Sequence, residues 1–348
     1  MLSRTADHLY WMARYTERAE NTARMLDVRV QYSLMPQSTV AEQQGWRTML
    51  GVSELQSQFD AKYSALTQKE VLDFMVRDPD NASSIVSCLR AARENARAVR
   101  GDLTTEVWET QNTTWLTLQQ HLKSRMFEHH PGKFLEWVKY RSHLSRGVTL
   151  GTMFQDEAFN FIRLGTFLER ADNTARILTT KFKFLASDVI QADEQVEFYY
   201  LAALLRSVSA FETYRKAYRD AITPTRVAEL LILESKMPRS LAACMCAVVA
   251  NLQEVRNELS HETERQAEQL YGQLQSARID DILAEGLHEF MTKFLASIAE
   301  IGNGIGRDFL LPVAPEVEEE APTPTPTAAP MQSQSQSQGQ TQTQTQTS

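Results

Sequence analysis

Cysteine is nearly absent: three among 348 residues are too few for a disulfide framework. Cys88 and Cys244 read instead as small buried hydrophobes in a reducing, cytoplasmic compartment. Proline and glycine are scarce too, at eleven and thirteen, and most of the prolines lie near or beyond residue 312. A body so sparsely punctuated and rich in Ala, Leu, Glu, Arg and Gln predicts an all-α fold. No apolar run approaches the roughly 18 residues that span a bilayer, and the N-terminus lacks the apolar core of a signal peptide, so no membrane association is expected. There is no basic excess: a formal net charge of -8 argues against a general nucleic-acid binder. The usual chemical signatures are missing as well. The seven histidines suggest no di-metal site of the helical-bundle type. No P-loop and no nucleophile motif is present, and Gly302-Asn-Gly-Ile-Gly306 falls at a helix end rather than after a strand. Neither a metal, nor a cofactor, nor a self-sufficient active site is expected.

What the chain does have is a copy of itself. Glu17-Arg-Ala-Glu-Asn-Thr-Ala-Arg-Met-Leu26 returns as Glu169-Arg-Ala-Asp-Asn-Thr-Ala-Arg-Ile-Leu178, a shift of 152 residues (170 minus 18). A second block repeats at 156 (227 minus 71), pairing Val71 with Val227, Ser84 with Ser240, Cys88 with Cys244, Asn95 with Asn251 and Leu103 with Leu259. Such spacing is far longer than a solenoid period and points to two domain-sized units. Shared positions from Ser84 onward step by three or four residues, so the copies share a packed helical face. With 43% hydrophobic residues the chain is long enough to bury a sizeable core.

The predicted organisation is an internally duplicated multi-helix bundle with pseudo-twofold related halves. Residues 1–130 form the first repeat, 131–152 a connecting helix and loop, and 153–310 the second repeat; 311–348 are a Pro/Thr/Gln/Ser-rich tail that cannot bury apolar area and is expected to be disordered. Helices are expected over Ser3–Leu34, 41–65, 68–77, 82–100 and 102–128. In the second half they are expected over 157–186, 192–220, 225–234, 239–259, 261–277 and 280–307. Asp78-Pro-Asp-Asn81 is a turn whose Asn or Ser can cap the next helix. Residues 133–146 look helical, and Gly147-Val-Thr-Leu-Gly-Thr152 reads as a loop.

On the first helix, Trp11, Tyr15, Ala19, Thr22, Leu26 and Val30 make the apolar stripe. Arg14, Glu17, Arg18, Asn21 and Arg24 fall on the opposite side at 100° per residue. The copy offers Glu169, Arg170, Asn173 and Arg176. Three readings stay open. The groups can pair reciprocally, Glu to Arg, where two close-packed helices meet; Ala19, Ala23, Ala171 and Ala175 permit that approach. They can instead line a polar pocket for an anionic or peptide ligand, or form a plain solvated face worth a few tenths of a kcal/mol per pair. Asn95 and Asn251, on otherwise apolar stripes, are expected to clamp neighbouring helices, since an unpartnered buried amide costs about 1–3 kcal/mol. Around Asn95 stand Arg90, Arg93, Glu94, Arg97 and Arg100, a basic cluster that the second copy mostly lacks.

The opening residues Met1-Leu-Ser-Arg-Thr-Ala-Asp-His-Leu-Tyr-Trp-Met-Ala-Arg-Tyr-Thr-Glu-Arg-Ala-Glu-Asn-Thr-Ala-Arg24 resemble the N-terminus of the bacterial alpha-E domain family. Three further stretches are similar to its motifs: Asp78 to Asn81 running into Ser84 and on through Cys88 to Arg100, Thr152-Met-Phe-Gln-Asp-Glu157, and Tyr214-Arg215 with Pro238-Arg-Ser-Leu241. The resemblance covers about residues 1–310. It implies a protein that works with a circularly permuted ATP-grasp protein and a transglutaminase-like protein, as the helical component of a peptide-modification or amide-ligation system. The glutamates it carries over are Glu17, Glu20 and Glu169, with Asp172 standing where the second copy would have Glu. Whether these carboxylates catalyse, as in a hydrolase or transferase, or only lock helices together in a structural adaptor, stays open.

Overall fold

The computed structural model describes residues 1–35, 38–185 and 194–310, and among these every regular element is helical and no strand occurs. The first half runs α1 (Ser3–Ser33), α2 (Thr39–Val52), α3 (Gln56–Lys62), α4 (Gln68–Val76), α5 (Ile85–Ala98), α6 (Thr105–Lys123), α7 (Met126–His129) and α8 (Pro131–Thr152). After α9 (Glu157–Leu185) come α10 (Glu194–Ser207), α11 (Phe211–Tyr218), α12 (Pro224–Ile232), α13 (Leu241–Val255), α14 (His261–Ser276), α15 (Ile279–Glu285) and α16 (Leu287–Ile305). The tail expected over 311–348 lies outside the described residues.

Local chemistry starts several of these helices. Ser84 and Ser240, 156 residues apart in the sequence, each accept a hydrogen bond from a backbone N–H three residues on, at 3.2 and 3.0 Å, and so cap α5 and α13. Asn81 takes a different role from capping: it is buried and donates to the Phe74 carbonyl at 3.1 Å. Four expected helices are each broken in two, and each break contains a residue with left-handed backbone: Glu54 (φ 57°), Arg125 (φ 57°), Ser209 (φ 54°) and Gly286 (φ 112°). Only one of the four is the glycine that favours this conformation.

The segment 147–152, expected as a loop, continues α8 to Thr152. Gly147 and Gly151 face open space there, and Thr149 and Thr152 donate to the carbonyls of Ser145 and Val148 at 2.9 and 2.8 Å, one turn earlier. A solvent-facing glycine weakens a helix by about 1 kcal/mol without ending it.

At the centre α1 lies along α9; α5 and α8 pack on α1, while α13 and α16 pack on α9. Helix α1 is therefore enclosed rather than amphipathic. Besides Leu9, Ala19, Ala23 and Leu26 it buries Glu17, Glu20, Asn21 and Arg24, whereas Trp11 and Tyr15 of the expected apolar stripe are only half-buried. Ala19, Ala23, Ala171 and Ala175 have no exposed surface. A close approach of the two helices occurs at Gly165, where a Cβ would stand 2.3 Å from the Tyr10 carbonyl oxygen and 3.2 Å from Ala13 Cβ.

That contact sets a test of the α1/α9 packing. Gly165→Ala is expected to destabilise the protein by about 1–3 kcal/mol, because the obstacle is backbone and cannot rotate away. Gly272→Ala, on the exposed side of α14 with nothing within 4 Å, is expected to be neutral or stabilising by up to about 1 kcal/mol. Urea unfolding of both variants checks the pair; equal effects would mean that α1 and α9 do not meet as described.

Candidate functional site

The repeated signature meets itself across α1 and α9. Arg170 holds Glu17 with two parallel hydrogen bonds, Nε to Oε1 at 2.9 Å and Nη2 to Oε2 at 3.0 Å. Arg18 holds Glu169 in the same way, at 2.6 and 3.0 Å. The exchange is reciprocal: each Glu-Arg dipeptide gives its carboxylate to the other's guanidinium. Such two-pronged, charge-assisted pairs are among the stronger hydrogen bonds available to a protein.

Around that exchange the two sides differ. Arg14 adds a 2.7 Å bond to Glu169. Glu17 receives two more cations instead, Arg146 from α8 and Arg239 from the turn before α13, both at 3.0 Å. Glu20 is surrounded in turn by Arg24 at 2.7 Å, Arg239 at 2.5 Å, the Ser142 hydroxyl at 2.6 Å, and Arg146. At the matching place in α9, Asp172 has a smaller role. It is partly exposed and, among the described residues, takes a single side-chain partner, Arg176 at 2.8 Å, which also reaches exposed Glu54 at 2.7 Å. The extra cations explain the asymmetry: α8 supplies Arg146, and the residue 156 before Arg239 is Ser83.

Electrostatics follow from this geometry. Burial alone would raise the Glu169 carboxyl, but Arg14 and Arg18 outweigh it and hold the group at about 2. Burial likewise works against ionisation of Glu17 and Glu20. Arg170, Arg239 and Arg146 nonetheless draw Glu17 below the usual range, and Arg239, Arg146 and Arg24 draw Glu20 well below it. All three carboxylates are thus ionised and saturated with donors. The thiols of Cys88 and Cys244, buried near the two pairs, are pushed up to about 12 by that burial and are inert as nucleophiles.

Other expected residues are scattered. Asn21 accepts from Arg239 at 2.8 Å; among the described residues its amide nitrogen, and the buried amide nitrogen of Asn173, its counterpart in α9, have no hydrogen-bond partner. Arg24 also donates to Ser209 and lies 3.1 Å from His143. Asn95 joins α5 to α1 through His8 at 2.8 Å, and Asn251 joins α13 to α9 through Arg163 at 3.1 Å. The basic cluster lies outside this centre. Arg93 and Arg97 pair with Glu94 at 2.5 and 3.1 Å, and Arg93 and Arg100 lie over Trp108. Two Glu-x-x-His spacings do exist, Glu258 with His261 and Glu285 with His288. Among the described residues, however, no three potential ligands gather into a metal site.

Sequence reading gave no site role to Arg146, Arg239, Ser142 and Arg163, although Arg239 stood within the Pro238-Arg-Ser-Leu241 motif. A signal for the first and third was present: Lys139, Ser142, Arg146 and Thr149 step by three and four, a polar face on α8. Lys139 completes it with a 2.5 Å pair to Asp27 of α1.

Beside Glu17, between α1, α6, α8 and α9, a cavity of about 190 Å³ opens. Its charged lining is Arg146, Arg163, Arg170 and Glu17. No described helix is long and apolar enough to cross a membrane.

The fold and its centre define an all-α bundle whose central helices are locked by reciprocal buried Glu-Arg pairs. The chain belongs to the Alpha-E family, described as a predicted alpha-helical domain with a conserved ER motif, which matches residues 1–310. Two Glu-Arg dipeptides, Glu17-Arg18 and Glu169-Arg170, make the reciprocal pairs here. Similar curated proteins include uncharacterised ones from Mycobacterium bovis, 24% identical over 326 residues, and from Mycobacterium tuberculosis strain H37Rv, 23% identical over 326 residues. In both cases the match covers 85% of this chain and 35% of the relative, so the chain spans about a third of the length of these proteins. No solved structure matches it.

Proposed function

We propose that this chain is the helical component of an ATP-grasp-linked peptide-modification or amide-ligation system, and that it does not itself carry out the proton transfers of that reaction. One observation carries the second part: Glu17, Glu20 and Glu169 are each saturated by guanidinium groups. A general base needs an accessible lone pair and a pKa near the working pH. A carboxyl held at about 2 with every oxygen engaged offers neither, and a glutamate nucleophile would have to break two ion pairs before attacking. This speaks against the hydrolase or transferase reading.

The first part rests on the family resemblance. In it a circularly permuted ATP-grasp protein would activate a carboxylate, and a transglutaminase-like protein would act on the same peptide. A module that matches about a third of longer relatives suits a role beside other domains. We read the reciprocal pairs as the product of an internal duplication of residues 1–130 and 153–310. The two buried thiols suit a reducing, cytoplasmic setting.

The test is reconstitution with the ATP-grasp partner, followed by ATP consumption and product formation. Activity is expected to require this chain and to persist in Glu169→Gln when assayed well below that variant's unfolding midpoint. Loss of turnover in a folded Glu169→Gln protein would overturn the non-catalytic reading in favour of direct participation by the glutamate.

A further inference from the structure

We propose that the cavity between α1, α6, α8 and α9 binds a small carboxylate with an apolar side chain, of the kind presented by an apolar amino acid or by a peptide C-terminus, through the guanidinium of Arg163. The proposal concerns binding by this chain alone and stands whether or not an ATP-grasp partner exists.

The argument starts from a charge count. The cavity is lined by three guanidinium groups and one carboxylate, Glu17. Arg170 is consumed by its two bonds to Glu17. Arg146 is shared among Glu17, Glu20, Ser142 and His143. Arg163 is different. Its Nε donates to Asn251 at 3.1 Å, it has no carboxylate partner, and its terminal nitrogens make no hydrogen bond among the described residues. It is half-buried, so water only partly compensates it. Burial, with Arg170 nearby, disfavours its charge, and an arriving anion would relieve both effects.

The group is also held ready. The Arg163 guanidinium lies 5.5 Å from the ring centre of Phe159 and 4.9 Å from that of Phe167, one helical turn to either side. Clamped by two rings and by Asn251, it loses little freedom when a ligand arrives. A planar fork with two free ends matches a carboxylate, which takes parallel hydrogen bonds from it. A phosphate dianion would call for further free cations, and the other two arginines are committed to glutamates.

Size and lining set the rest of the ligand. Most pockets for drug-sized ligands hold about 300–1,000 Å³; this one, at about 190 Å³, suits something close to a single large amino acid. Met12, Ala13, Leu150, Phe159 and Ile162 provide an apolar wall. Gln111 donates to Ser145 at 2.9 Å, and its side-chain oxygen receives no hydrogen bond among the described residues, leaving an acceptor for a ligand N–H. A side chain, a carboxylate and an amide N–H are the three groups that the terminal residue of an apolar peptide carries.

Calorimetric titration of the full chain tests this with N-acetyl-L-phenylalanine, its C-terminal amide, free L-phenylalanine and inorganic phosphate. N-acetyl-L-phenylalanine is expected to bind, and the amide at least tenfold more weakly. Comparison with the free amino acid separates a peptide terminus from a free metabolite. Arg163→Gln is expected to weaken binding at least tenfold. Leu150→Trp, at an exposed position on the rim, is expected to block entry without disturbing the core, and Asn251→Ala to weaken binding less than Arg163→Gln does. Absence of binding at millimolar concentration, equal binding of acid and amide, phosphate binding as tightly, or unchanged affinity in either Arg163→Gln or Leu150→Trp would each overturn the proposal.

Discussion

Glu17→Gln is expected to lower the stability of the fold by about 3–5 kcal/mol, the loss typical of breaking a buried ion pair on one side. The substitution keeps the shape and removes only the charge, so the cost comes from the arginines left behind. Arg170 and Arg239, with side chains 8% and 6% exposed, have almost no water to turn to. Glu20 offsets part of this: it repels Glu17 in the native protein and already touches Arg239 and Arg146. Glu169→Gln is expected to cost less, about 1–3 kcal/mol, because Arg14 and Arg18 are 16% and 27% exposed and can be hydrated. Urea denaturation of the two variants decides the matter. Equal losses would show that exposure of the partner does not govern the cost, and an unchanged Glu17→Gln protein would show that the central pairs add nothing to stability.

Acid will unfold this protein through the same three carboxylates. Glu169 has its pKa near 2 in the folded chain against about 4.3 for an unfolded glutamate. A group depressed on folding contributes stability that is complete above its unfolded value and is lost as pH falls towards its folded value. The window therefore runs from about pH 4.5 down to 2. At about 1.4 kcal/mol per pKa unit, Glu169 alone accounts for about 3 kcal/mol, and Glu17 and Glu20 shift in the same direction. Unfolding midpoints measured from pH 7 to 2 are expected to fall little down to about 5 and steeply below it, with a shallower limb for Glu169→Gln. A midpoint that declines steadily from neutrality would point to histidines rather than to these carboxylates.

Much of the framework was legible in the sequence because repetition reveals what a single helix conceals. Two copies of Glu-Arg-Ala-x-Asn-Thr-Ala-Arg with alanines between the charges implied two helices in close contact. The turn at Asp78 to Asn81 with a following Asn or Ser announced the capped start of α5, whereas Ser240, expected inside a helix over 239–259, is the cap of α13. The amphipathic reading of α1 failed for a physical reason. A helix enclosed on all sides can carry charges wherever partners meet them, so polarity did not mark the solvent side. The helix breaks at Glu54, Arg125 and Ser209 were hidden because those residues adopt left-handed backbone only under tertiary constraint. The pairing of Arg146 and Arg239 with the glutamates stayed out of view because each lies far along the chain from the carboxylates it serves, and neither the polar face of α8 nor the Pro238-Arg-Ser-Leu241 motif names its partner. The cavity was invisible for the same reason, being a product of four helices.

The pairing of Glu20 with Arg239 spans 219 residues, and this distance has a temporal meaning during synthesis. A ribosome adding about 5–20 residues per second leaves the N-terminal helix waiting roughly 10 to 40 seconds before its last counter-charge has been made. Early in that interval Leu9, Met12 and Leu26 lack the helices α5, α8 and α9 that will cover α1, and Glu17 and Glu20 lack Arg239 until its end. The nascent chain is thus born with its keystone first and the last counter-charge of that keystone far behind it, so the order of its residues, as much as the strength of the final lock, sets when the centre can close.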